Sequence, residues 1–134
     1  MKTLILIFLT IFLSSCGTIV EYHGNKNLLY KENVNKIKKG MQLTEVEKIL
    51  GKPDSIILAS EAQKNGAVKT LSYTFARNSG TLISTWESTY NAIGLQIDDK
   101  GRVVNIHQQM AGGFYETILE DKKTNQKVSK YFNP

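Results

Sequence analysis

The chain has 134 residues, with 17 Lys and Arg against 12 Asp and Glu and a formal net charge of +5. That length supports one small domain with a single modest core. Its one cysteine excludes an internal disulfide or a cysteine-based metal site. The modest positive charge lacks the aromatic-basic interleaving of a single-strand-binding groove, which argues against nucleic acid.

The amino terminus opens with Lys2, an apolar stretch from Leu4 to Leu13, and then Ser14-Ser15-Cys16-Gly17. A basic start, an apolar run of about ten residues and small residues before a cleavage point describe a secretory signal peptide over residues 1–15. The run is too short to cross a bilayer, which takes about 20 apolar residues. A branched apolar residue, two small ones and a cysteine resemble the lipobox of bacterial lipoproteins. The resemblance implies cleavage before Cys16 and lipidation of its sulfur, so the only attached groups expected are diacylglycerol and acyl chains on Cys16. Two or three acyl chains hold far more firmly than one, at about 0.8 kcal/mol per buried methylene. The alternative is an uncleaved anchor in which the cysteine is incidental. Lysines elsewhere either form a solvated face or sit near anionic headgroups, each worth about 1 kcal/mol close to the surface.

Residues 16–33 read as a lipidated tether, with Gly24, Asn25 and Asn27 and no sustained apolar period. A first short helix places Val34 and Ile37 three apart on one face and ends at Gly40. In a second, Thr44 and Glu47 stand at capping-box spacing, and Val46, Ile49 and Leu50 form a buried stripe. Gly51 suits the left-handed position after a helix, and Pro53 forbids continuation.

The period then changes to two. Residues 55–63 are rich in Ile and Leu, and Asn65-Gly66 is a hairpin signal. Leu71, Tyr73 and Phe75 alternate with Ser72 and Thr74, and residues 81–90 read either as a strand or as a loop carrying Trp86. Ile93, Leu95 and Ile97 alternate again, Asp98-Asp99-Lys100-Gly101 turns the chain, and Val104 and Ile106 share one face of the returning strand. The expected fold class is α+β, two short N-terminal helices packed on a three- to four-stranded antiparallel sheet, within a domain spanning residues 34–110. Ala111-Gly112-Gly113 reads as a hinge into a polar extension, residues 111–134, in which Phe114, Ile118 and Leu119 form either a helical stripe or part of a loosely ordered tail.

Candidates for chemistry are sparse. His23 and His107 have no cysteine or paired carboxylate at metal-ligand spacing beside them, so no metal site is expected. Asp98 and Asp99 before Lys-Gly are ordinary turn residues. The serines lack a nucleophile elbow, and Gly112-Gly113 lacks the spacing of a phosphate loop. No catalytic residue is assigned, and the chain reads as a non-enzyme. Trp86 with Tyr90 is a possible partner contact, the alternative being a lid over one end of the core.

Ile37-Lys38-Lys39-Gly40-Met41, Thr44-Glu45-Val46 and Leu50-Gly51-Lys52-Pro53, followed by the hairpin from Gly94 to Val104, resemble the signature of the SmpA/OmlA, or BamE-like, outer-membrane lipoproteins and their osmotically inducible relatives. The carried-over motif positions are Gly40, Met41, Thr44, Glu47, Gly51 and Pro53. The resemblance implies a two-helix, three-strand fold on the periplasmic face of the outer membrane, with outer-membrane lipid and components of the β-barrel assembly machinery as partners. By the same analogy, Gly17 after Cys16 fits sorting to the outer membrane. The alternative it leaves open is a lipoprotein that inhibits or senses an envelope enzyme.

Overall fold

The computed structural model describes residues 19–61, 63–80 and 86–115. Five strands dominate it: β1 (Ile19–Gly24), β2 (Ser55–Leu58), β3 (Ala67–Gly80), β4 (Glu87–Asp98) and β5 (Val103–Ala111). Between β1 and β2 lie a 3-10 turn (Lys26–Leu29) and two α-helices, α1 (Lys31–Lys36) and α2 (Leu43–Leu50). The sheet is antiparallel, in the order β1-β3-β4-β5, with β2 also paired to β3. β1 and β2 share one edge of β3, β1 against Phe75–Gly80 and β2 against Lys69–Ser72.

This corrects the expected helix pair on three or four strands. The central strands run to 14 and 12 residues and the α-helices to only 6 and 8, so the sheet carries the fold. Two boundaries move as well. β1, the 3-10 turn and the start of α1 occupy most of the expected tether, and Tyr22, Leu28 and Leu29 are core residues. At the other end Phe114 and Tyr115 belong to the same core. The signal segment, Cys16, Gly17, residues 81–85, Ile118 and Leu119 lie outside the described residues.

The period-two pattern explains how the sheet buries one face. Leu71, Tyr73 and Phe75 on β3 and Ile93, Leu95 and Ile97 on β4 are all buried. They stand opposite the helical residues Val46 and Leu50 within one apolar cluster, and Ile37 joins it just beyond α1. Ile37 is α1's C-cap residue, so that helix stops one residue before the expected stripe ends. On β5 the expected pair, Val104 and Ile106, is corrected by a bulge. Leu95 faces Ile106 and Gln96 faces Asn105, but Ile97 faces Val103, leaving Val104 as the extra residue. A bulge restores the parity that a regular strand would lose, so Val103 and Ile106 both meet the core.

Gly112 and Gly113, at φ +69° and +61°, reverse the chain and return Phe114 to the sheet. Its ring meets Phe75 edge-on at 5.6 Å and Tyr115 at 5.1 Å between centroids. The expected hinge is therefore a turn that closes the core. Asn91, fully buried on β4, fastens this corner: its amide donates to the Leu28 carbonyl at 3.3 Å and the Tyr115 hydroxyl at 3.1 Å, while its oxygen accepts from Gln108 at 3.1 Å. A buried amide satisfied at both ends costs little and fixes its neighbours.

Candidate functional site

Three places hold the residues singled out by sequence, and a fourth emerges from the structure. The first is the end of the sheet where β1 begins. Ile19 pairs with Gly80, and Ser79 with Glu87. The Trp86 indole lies against Gly80, where a Cβ would come within 3.0 Å of the ring. Trp86 is 45% exposed. Cys16 precedes Ile19 by only three residues.

The second place is the sheet face turned away from the helices. Alternation puts His23 of β1, Thr74 and Ala76 of β3, Tyr90 and Ala92 of β4, and His107 of β5 on this face. His23, Thr74, Ala76, Tyr90 and Ala92 line a shallow groove of about 430 Å³. His23 and His107 sit on opposite outer strands, three strand spacings or about 14 Å apart across the sheet and a further four residues apart along it, so the two cannot share a ligand. His23 Nε2 lies 3.6 Å from the Glu21 carboxylate, and His107 Nε2 lies 3.0 Å from the Asn105 amide. Among the described residues no three His, Cys, Asp or Glu side chains gather at metal-binding distance.

The third place collects the motif residues at the opposite end of the sheet. Gly40, at φ +86°, donates its N–H to the Val103 carbonyl at 2.7 Å, and Val103 donates back to Met41 at 2.9 Å. Gln42 bridges to Arg102, and Leu43 donates to the Gly101 carbonyl at 2.8 Å. This stitching holds Gln42 extended, so α2 starts at Leu43 and not after Thr44. The capping pair is accordingly corrected to Gln42 and Glu45, whose carboxylate accepts from the Gln42 N–H at 2.9 Å. Thr44 and Glu47 are exposed on the first two turns. Met41 packs against the core.

Gly51, at φ +76° and ψ −161°, lies outside the left-handed helical region expected of it and in one essentially restricted to glycine. Its carbonyl accepts from the buried Tyr73 hydroxyl at 3.2 Å. Burial, with Glu47 and Asp54 nearby, pushes the Tyr73 phenol up to about 12. Pro53 is half-buried in the link between α2 and β2. Asp98 closes the β4–β5 turn. Its carboxylate accepts the N–H groups of Arg102 at 2.8 Å and Lys100 at 3.0 Å, and the Arg102 guanidinium at 3.0 Å. The Arg102 backbone bond leads in holding that carboxyl below the usual aspartate range, against the opposing effect of desolvation. Asp99 stands beside it in the turn and takes no part in these bonds.

Composition alone did not reveal the fourth place. β2 pairs with β3 and with no other described strand, and its Ile56, Ile57 and Leu58 are 56%, 64% and 75% exposed. Residues on both faces of an edge strand are left apolar, where soluble folds usually set charge, proline or a bulge. The readable signal was three apolar residues in a row without alternation, beginning three residues after Pro53, a residue confined to edge strands and strand starts.

Compared with known proteins, the chain matches no protein-family model and no curated protein at a significant level.

Proposed function

We propose that the chain is a non-catalytic lipoprotein of the outer membrane, held by acyl chains on Cys16 at the periplasmic face, and that its folded domain is a binding module. The observation that carries the reading is the Leu13-Ser14-Ser15-Cys16 run ahead of a domain that begins at Ile19. Its SmpA/OmlA-like motifs make an accessory role in β-barrel assembly or envelope integrity the leading assignment.

The exposed β2 edge supports the binding part of this reading. An extended segment of a partner can add to such an edge, with main-chain hydrogen bonds giving affinity and apolar side chains giving selectivity. Anchoring both partners to one surface raises their effective concentration without any new contact.

Replacing Cys16 with Ala tests the anchor: the protein leaves the membrane fraction, and its persistence there refutes lipidation. A photo-cross-linking residue at Leu58 tests the contact in intact cells. Capture of barrel-assembly components supports the leading role. Capture of a soluble envelope enzyme alone replaces it with the inhibitor or sensor reading.

A further inference from the structure

The end of the sheet that carries Trp86 is also the end to which Cys16 is joined. Only residues 17 and 18 separate that cysteine from β1, so at 3.3–3.6 Å per residue Ile19 stays within about 11 Å of the Cys16 backbone. Ile19, Gly80 and Trp86 line up across three adjoining strand ends, with Gly80 between the two apolar side chains and the indole resting on it. Trp86 is 45% exposed. Its side chain combines a large apolar body with one N–H donor, the character that concentrates tryptophan at the boundary between headgroups and acyl chains.

Charge at this end narrows the occupant. Residues 17–25 and 78–90 contain no Lys or Arg, Arg77 of β3 alternates onto the helix-side face with Phe75, and Glu21 and Glu87 are both exposed there. Attraction to anionic headgroups therefore does not drive the contact, and a neutral bilayer interface suffices.

From this placement we infer that Trp86 inserts into the interface of the bilayer that holds Cys16, giving the domain a second point of attachment and fixing the end of the sheet against the membrane. The inference rests on the lipid-anchor reading of Cys16. Insertion by one indole is weak in isolation, and the covalent anchor makes it effective by confining the domain to the surface.

The sequence supplies its own probes, because Cys16 is the only cysteine and Trp86 the only tryptophan. The apolar core is assembled from Tyr22 to Tyr115, so a chain beginning at Cys16 retains it. That chain is coupled through Cys16 to a maleimide-headgroup phospholipid in phosphatidylcholine vesicles, with or without lipid brominated near the headgroup end of its acyl chains. The reference is the same protein with its thiol blocked.

Interfacial insertion shifts Trp86 emission to the blue, and brominated lipid cuts it roughly twofold relative to the reference. Emission equal to that of the blocked protein overturns the inference and returns Trp86 to the role of protein contact. Quenching that appears only with anionic lipid also overturns it, since lysines elsewhere would then be doing the docking. Chemical coupling is independent of processing in cells, so failure here is distinct from failure of lipidation, which the Cys16→Ala fractionation reads.

Discussion

Phe114 is the sharpest test of where this domain ends. Its ring is buried and meets Phe75 and Tyr115 edge-on. Truncation to Ala removes the buried area and leaves a cavity roofed by a two-glycine turn, a change that costs about 3–5 kcal/mol in well-packed cores. A domain of this size has a total stability of about 5–15 kcal/mol. At several degrees per kcal/mol, the Phe114→Ala variant melts on the order of 20 °C below the parent. Phe114→Leu retains most of the apolar burial but loses two aromatic contacts, each worth about 0.5–1.5 kcal/mol, and falls between the two. Met110→Ala, four residues earlier and 48% exposed, is the matched control and stays within about 0.5 kcal/mol of the parent. Thermal unfolding followed by circular dichroism reads all three. Phe114→Ala melting alongside Met110→Ala would refute the placement of this residue in the core and restore the boundary after residue 110.

Three further outcomes follow from the geometry. A Cβ at Gly24 falls 2.2 Å from the Thr74 carbonyl oxygen at φ +93°, whereas one at Gly66, φ +81°, meets nothing within 4 Å. Gly66→Ala thus loses only the backbone term of about 1–2 kcal/mol, and Gly24→Ala loses clearly more in denaturant titration as β1 is forced off β3. The raised Tyr73 value means the fold favours the neutral phenol, so its contribution is complete below the unfolded value of about 10 and is lost as pH climbs toward about 12. Tyr73→Phe costs about 1 kcal/mol at neutral pH through the lost bond to Gly51 and makes the alkaline fall in stability shallower. Asp98 works in the opposite direction: its depressed value gives stability that is present above the unfolded value of about 3.9 and lost as pH drops below it. Asp98→Asn should flatten the acid limb of the stability profile, and an unchanged limb would remove this turn from the account.

The parts of the fold legible in the sequence were those governed by a single local period. Leu71, Tyr73 and Phe75, and Ile93, Leu95 and Ile97, announced themselves because each strand buries one face and nothing interrupts its alternation. β1 was hidden because Gly24, Asn25 and Asn27 are residues of loops. Here they serve long-range ends instead. Gly24 makes room for the backbone of Thr74, and the Asn25 and Asn27 side chains both donate to the Leu50 carbonyl at the end of α2. The Val104 bulge was unreadable because one unpaired residue shifts register without altering composition. Capping at Gln42 depends on a bridge to Arg102, sixty positions away, and no window around Thr44 contains that information.

The candidate surfaces divide along the same line. Trp86 was visible as a lone tryptophan in an irregular stretch, whereas the meaning of its position came only from β1 beginning at Ile19. That start changes the mechanics of the anchor. A tether reaching to residue 33 would let an anchored domain tumble and present any face; with β1 starting at Ile19, the proposed lipid on Cys16 would instead hold one end of the sheet beside the membrane. β2 lies along Lys69–Ser72, eight to eleven residues from Gly80 on the same strand. At about 3.3 Å per residue, its apolar edge is about 25–35 Å from the end where β1 begins, measured along the strand. On the proposed anchoring, a partner segment that pairs there would project well clear of the bilayer. This geometry separates the proposed membrane contact at Trp86 from the proposed protein contact at Ile56–Leu58, so the two could be occupied at once.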